Sequence, residues 1–235
     1  MFMKLLIIVL VTEVMMNNFK VVEKFISING EGSKAGQLAA FIRFQGCNLN
    51  CSYCDSKYAN SDDAKYSLMT EEEIINYLNE NKIKNVTLTG GEPLLQKNIK
   101  SLIFELLKLN YNVEIETNGS VNIKPFISDL RPIFTLDYKT PSSLMENYMN
   151  EKNYNYLTKD DVVKFVVGNQ KDLITAKNII DKYDLINKAQ VYFSPIYGQI
   201  DPKEIVAFMI ENQLNGVNFQ LQLHKYIWNP NMRGV

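Results

Sequence analysis

The cysteines of this 235-residue chain number three, and all lie in one loop, "GCNLNCSYCDS" at 46–56, as Cys47, Cys51 and Cys54. An odd count in a single cluster is not a disulfide framework. It points to a metal or cluster site in a reducing compartment, so a cytoplasmic location is expected. Zinc is one reading, with His224, the chain's only histidine, as fourth ligand. Zinc sites, however, are usually built from paired C-x2-C knuckles; here the first spacing is C-x3-C and no second knuckle exists. An iron–sulfur cubane is the other reading. Three thiolates on a [4Fe-4S] cluster leave one iron without a protein ligand, open to a small molecule.

Other residues with chemical potential follow apolar runs. "TGGEP" (89–93) contains Gly90 and Gly91, and glycines let the backbone approach a ligand closely. Taken alone, a Gly-Gly pair is only a tight turn. "ETNG" (116–119) offers the Glu116 carboxylate and the Asn118 amide, or simply a strand-ending Asn-Gly turn. Asp137 and Lys139 are two apart, so in a strand they share a face, as ligands or as a bland ion pair. Arg43, just ahead of the cysteines, suits bidentate pairing with a carboxylate.

The elements that would carry these residues alternate. Runs at 39–46, 85–91, 112–119, 132–139, 162–168, 189–196 and 219–228 read as strands. Helices are expected at 70–80, 99–109, 171–183 and 201–212. The first opens on Thr70 with Glu73, a capping box; the last opens on Asp201 followed by Pro202. Strand–helix–strand order implies an α/β fold with a parallel sheet of about six strands, an incomplete β/α barrel with its chemistry at the C-terminal strand ends. The polar stretch 143–161 reads as a surface excursion, and no internal repeat or low-complexity linker is seen.

With 46% hydrophobic and 22% charged residues the chain can bury a sizeable core. Its formal net charge of −1 argues against nucleic acid as a partner. "KLLIIVLV" (4–11) is too short to span a bilayer and lacks a cleavage site after it. Residues 1–14 read as an upstream extension, with Met15 or Met16 as the functional start and 15–235 as one core domain; a membrane anchor is the alternative.

The cysteine spacing, with the aromatic Tyr53 before the last cysteine, resembles radical S-adenosylmethionine (radical SAM) enzymes. In them the open iron chelates the methionine end of the cofactor, and an electron from the cluster cleaves it to a 5′-deoxyadenosyl radical. "FISINGEG" (25–32), "AFIRFQGCNLNCSYCDS" (40–56), "TLTGGEP", "EIETNGS", "DYKTPSS" and the tail "QLHKYIW…RGV" together resemble the 7-carboxy-7-deazaguanine synthase family. That resemblance covers about Phe19 to Val235. It implies a carbon–nitrogen lyase of 7-deazapurine (queuosine) biosynthesis. 6-Carboxy-5,6,7,8-tetrahydropterin contracts to 7-carboxy-7-deazaguanine with loss of ammonia, and S-adenosylmethionine is regenerated.

The resemblance also implies residue roles. Cys47, Cys51 and Cys54 hold the cluster. Ile28, Asn29, Gly30, Glu31, Arg43, Thr89, His224 and Val235 meet the pterin. Tyr53, Cys54, Asp55, Gly91, Glu116, Asn118, Asp137, Tyr138, Lys139 and Ser194, Pro195, Ile196, Tyr197 meet S-adenosylmethionine. Ser56 stands where the family commonly has a magnesium-binding threonine, and Asn29 where it commonly has glutamine. A homodimer and a flavodoxin- or ferredoxin-like reductant are further implications. The rival functions are a glycyl-radical-enzyme activase of the same superfamily and a non-catalytic cluster or zinc scaffold.

Overall fold

Apolar residues at every second position of the parallel strands face outward onto helices, and many inward positions, such as Thr87, Thr89, Glu114, Glu116, Asp137 and Lys164, are polar or charged. The computed structural model describes residues 18–61 and 63–235; the expected extension at 1–14 and the alternative starts at Met15 and Met16 lie outside them. The strands are β1 (Asn18–Ile28), β2 (Leu38–Phe44), β3 (Ser67–Thr70), β4 (Asn85–Gly90), β5 (Asn112–Thr117), β6 (Ile133–Tyr138), β7 (Val162–Val167), β8 (Gln190–Pro195) and β9 (Val217–Phe219). They form one nine-stranded sheet in the order β3-β1-β2-β4-β5-β6-β7-β8-β9. From β2 to β9 neighbours run parallel, while β1 is antiparallel to β2 and β3. The sheet is not closed, as expected for an incomplete barrel. The six expected parallel strands are joined by the short β9, and β1 and β3 extend the edge beyond β2.

The helices are α1 (Lys57–Asn60), α2 (Glu71–Asn81), α3 (Ile99–Lys108), α4 (Gln170–Tyr183), α5 (Leu185–Lys188), α6 (Pro202–Glu211) and α7 (His224–Ile227). The capping box of α2 is formed: Thr70 Oγ1 accepts from Glu73 N at 3.1 Å, and Glu73 Oε2 accepts from Thr70 N at 2.7 Å. Asp201 caps α6, accepting from Lys203 N at 2.9 Å. Ile99, Leu102, Ile103 and Leu106 bury one face of α3 against Leu88 and Ile115 of the sheet. A second core packs Leu173, Ile180 and Phe208 of α4 and α6 on Phe165 and Phe193. Every residue of β7 is buried, as both-face coverage of a parallel strand demands. No described helix is long and apolar enough to cross a membrane.

Two expectations need correction. The run 219–228 is not a strand. β9 stops at Phe219, and the alternation after it comes from glutamines that turn back on the chain's early loop. Gln220 Oε1 accepts from Gly32 N at 2.7 Å, and Gln222 Nε2 donates to Glu31 Oε2 at 3.2 Å. His224 then opens the single-turn α7. The stretch 143–161 is not merely a surface excursion either. It folds into 3₁₀ turns that bury Ser143, Asn153 and Tyr154. Asn153 Nδ2 donates to the carbonyls of Gly119 and Val121, at 3.1 and 2.8 Å, and so secures the loop after β5. The stretch does lie at the surface, with Leu144, Asn147, Tyr148, Lys152, Asn155 and 158–160 exposed, but its buried polar residues satisfy backbone groups beneath it.

Candidate active site

The cysteine loop is placed by a close backbone crossing. β2 ends at Phe44, and Gly46 turns the chain at φ +95°. Glu92 N donates to the Gly46 carbonyl at 2.9 Å. A methyl group on Gly91 would collide with that carbonyl, and Gly90 holds φ +137°. The Gly-Gly turn is therefore required so that the end of β4 can cross the entry to the cysteines.

Cys47, Cys51 and Cys54 are free and line one cavity of roughly 670 Å³. Amide N–H groups point at two of the sulfurs. Leu49 N and Asn118 Nδ2 reach Cys47 Sγ at 3.4 and 3.5 Å, and Asn60 Nδ2 reaches Cys54 Sγ at 3.5 Å. Such donors favour thiolate, but burial pushes the Cys51 and Cys54 thiols up. A bound cationic cluster would reverse that push. Among the described residues no three His, Cys, Asp or Glu side chains converge as a single-ion site would. His224 packs on Gly30, where an added methyl would stand 2.6 Å from its Nδ1. The donor set fits an iron–sulfur cluster better than zinc.

The ends of β4 and β5 are tied by Glu92, which is fully buried. Its carboxylate accepts from Asn118 N at 2.7 Å, Leu94 N at 3.0 Å and Thr117 Oγ1 at 2.9 Å. Burial pushes it up to about 7 against those donors. Glu116 faces the cavity, and its Oε2 accepts from Thr89 Oγ1 at 2.6 Å. One strand on, Lys139 Nζ pairs with Asp137 Oδ2 at 2.8 Å. The bland reading of this pair is thus correct in part, yet both residues also line the cavity. Burial would raise Asp137, but Lys139 and Lys164 outweigh it and hold the carboxyl below its usual range.

The inner face continues with Lys164 of β7. Its Nζ lies 3.1 Å from Asp137 Oδ1 and 3.1 Å from Glu31 Oε2. Glu31 Oε1 is buried without a hydrogen-bond partner among the described residues. Its loop is anchored from below. Asn29 Nδ2 donates to Glu114 Oε2 at 3.2 Å, and Asn29 Oδ1 accepts from Thr87 Oγ1 at 2.9 Å. It is anchored from the side by Leu223 N, which donates to the Gly30 carbonyl at 3.1 Å. Burial lowers His224, so the imidazole is neutral near pH 7.

On the β2 side, Arg43 Nε donates to Glu23 Oε1 at 2.7 Å and Nη1 to Ser56 Oγ at 3.2 Å. Ser56 Oγ in turn donates to Asp55 Oδ1 at 3.0 Å, and Lys225 Nζ stands 3.6 Å from Asp55 Oδ2.

Of the expected site residues, the cavity brings together the three cysteines, Ile28, Gly30, Glu31, Arg43, Tyr53, Asp55, Ser56, Thr89, Gly91, Glu116, Asn118, Asp137, Lys139, Ile196, Tyr197, His224 and Val235. Asn29, Tyr138, Ser194 and Pro195 are not among its walls. Asn29 spends its side chain on Glu114 and Thr87. Tyr138 points to the outer face, where its hydroxyl donates to Glu146 Oε1 at 3.0 Å. Sequence reasoning missed Lys164, Gln222, Lys225 and Asn60. Lys164 carried a signal: a charge at the centre of "VVKFVVG", an otherwise apolar strand, must find partners inside.

Residues 41–166 match the model of the radical SAM superfamily. The 7-carboxy-7-deazaguanine synthase of Clostridium acetobutylicum is 58% identical over 221 residues, covering 93% of this chain and all of that one. That of Chlorobaculum tepidum is 36% identical over 216 residues, covering 91% and 96%. Among solved structures, QueE from Escherichia coli superposes with a TM-score of 0.67 at 19% identity over 88% of this chain and 95% of that one. SuiB from Streptococcus suis bound to S-adenosylmethionine reaches 0.54 at 14% identity, over 75% and 48%; both of these likenesses speak to the fold. Fold, cysteine cavity and relatives together place this chain in the radical SAM superfamily and, within it, in the 7-carboxy-7-deazaguanine synthase family.

Proposed function

We propose that the cavity contracts 6-carboxy-5,6,7,8-tetrahydropterin to 7-carboxy-7-deazaguanine with release of ammonia. The observation that carries this reading is convergence: the cysteine loop, the "INGEG" loop, Arg43, Thr89, His224 and the tail all open on one cavity. Cys47, Cys51 and Cys54 would hold the [4Fe-4S] cluster, which with S-adenosylmethionine supplies a 5′-deoxyadenosyl radical. Gly91, Glu116, Asn118, Asp137, Lys139, Ile196 and Tyr197 form the walls suited to that cofactor.

The protein's own groups then bind and orient the pterin. Arg43 keeps its Nε on Glu23, and its Nη groups, one of them now on Ser56, would be left to meet the substrate carboxylate. Glu31 Oε1, buried and unpaired among the described residues, accepts a hydrogen bond from a pterin N–H. Neutral His224 supplies one donor and one acceptor. Ser56 and Asp55 offer oxygens to Mg2+, an ion that favours such ligands with several waters. Their present partners, Arg43 and Lys225, must yield room for it. A homodimer, a flavodoxin- or ferredoxin-like reductant and a cytoplasmic location belong to the same reading.

The substrate assignment is tested by anaerobic titration of reconstituted enzyme with the carboxypterin, followed through the single tryptophan, Trp228. Binding should weaken roughly tenfold or more for Arg43→Ala, and equally for a pterin without the carboxyl group. Equal affinity for the two pterins would overturn it.

A further inference from the structure

The tail that lines the cavity is fastened to the segment after the last cysteine. Pro230, Asn231, Met232, Arg233, Gly234 and Val235 all line the cavity. Lys225 Nζ donates to the Pro230 carbonyl at 3.0 Å and faces Asp55 at 3.6 Å. Further along, the Arg233 guanidinium lies over the Tyr58 ring, with Cζ 3.8 Å from the centroid. At this distance the planar guanidinium is attracted by the ring quadrupole as well as by dispersion. Tyr58 is held in turn: its hydroxyl donates to Glu23 Oε1 at 2.7 Å, the same oxygen that receives Arg43 Nε. A continuous path therefore runs Arg43–Glu23–Tyr58–Arg233 from the cavity wall to the strap.

We infer that Tyr58 and Arg233 form a latch that holds the tail over bound substrate, and that Glu23 couples this latch to the orientation of Arg43. Both line the cavity, and the role inferred for each is to position the strap and Arg43. Tyr58 is suited to the task because its two ends do different work. The ring face carries the strap and the hydroxyl carries Glu23. Arg233 is exposed, so its contact with the ring opens without breaking the core. The inference rests on the carboxypterin reading for the identity of the substrate, but not for the existence of the latch.

Three variants separate the parts. Tyr58→Leu removes both ring and hydroxyl while leaving the tail sequence intact. Tyr58→Phe keeps the ring and removes only the donor to Glu23. Arg233→Ala removes the other half of the latch from the surface, where folding is not at risk. Carboxypeptidase trimming of the reconstituted enzyme should be roughly three- to tenfold faster for Tyr58→Leu than for wild type and Tyr58→Phe. The KM for the carboxypterin should rise by a similar factor in Tyr58→Leu and Arg233→Ala, with the KM for S-adenosylmethionine moving less than about twofold. Wild-type trimming of Tyr58→Leu, or equal trimming of Tyr58→Phe and Tyr58→Leu, would overturn the latch. So would an unchanged pterin KM in Arg233→Ala. If the carboxypterin proved not to bind at all, the trimming rates would still decide the latch on their own.

Discussion

The Lys164 ammonium lies 3.1 Å from Glu31 Oε2, joining the middle of β7 to the loop that follows β1. The same nitrogen lies 3.1 Å from Asp137 Oδ1. Burial acts to lower Lys164, but Asp137, Glu31 and Glu116 raise it well above its ordinary value, so it is charged throughout the working range. One buried cation thus balances two carboxylates that line the cavity from different elements.

Removing that cation should be costly. Lys164→Met leaves Glu31 with only the Gln222 amide and Asp137 with only Lys139, and losing the buried cation of such a pair costs up to about 3–5 kcal/mol. Anaerobic thermal unfolding should show a correspondingly lower Tm, and affinities for both pterin and S-adenosylmethionine should fall. A variant with wild-type Tm and wild-type affinities would mean that the pairs contribute nothing.

Asn29 should behave as an anchor for the loop and not as a ligand. Asn29→Ala leaves Glu114 and Thr87 each short of a buried partner, at about 1–3 kcal/mol. The pterin KM should rise while affinity for S-adenosylmethionine stays within about twofold. Asn29→Asp, though isosteric, should be as damaging because it sets a second carboxylate against Glu114. A harmless Asn29→Asp would contradict the anchoring role.

Glu92 should make stability depend on pH. Its folded value is raised from 4.5 to about 7, because burial opposes the charge. A raised carboxyl favours the folded state while it is protonated. Its contribution is complete below the unfolded value and is lost as pH rises through about 7. Urea unfolding of wild type and Glu92→Gln between pH 4.5 and pH 8 should therefore diverge. Wild type should lose about 3 kcal/mol more than the variant across that window. Parallel pH profiles for the two proteins would remove Glu92 as the source.

Much of this was legible in the sequence because local chemistry and fold agree at those positions. The Thr70–Glu73 capping box, Pro202 after Asp201 and the period-two apolar runs each specify an element on their own. The Gly-Gly turn was legible as a turn, but not its reason, since the carbonyl of Gly46 that forces it arrives from another strand. The tail misread as a strand shows the opposite case. Gln220 and Gln222 alternate like strand residues, yet their amides bond to Gly32 and Glu31, which no local pattern reveals. Long-range polar partners likewise decide the buried turns at 143–161. Lys164 stayed hidden for a related reason: a charge in an apolar strand announces a partner without naming it.

This cavity should turn over a carboxypterin by radical chemistry that depends on its three cysteines. The most direct measurement is the mass and absorbance of product from anaerobically reconstituted enzyme with the carboxytetrahydropterin, S-adenosylmethionine, Mg2+ and a reductant, run beside Cys51→Ala. The wild type should give carboxydeazaguanine and the variant none, and the variant should also fail to retain a cluster. Deoxyadenosine without deazapurine from the wild type, alongside an active control enzyme, would contradict it, as would product from Cys51→Ala.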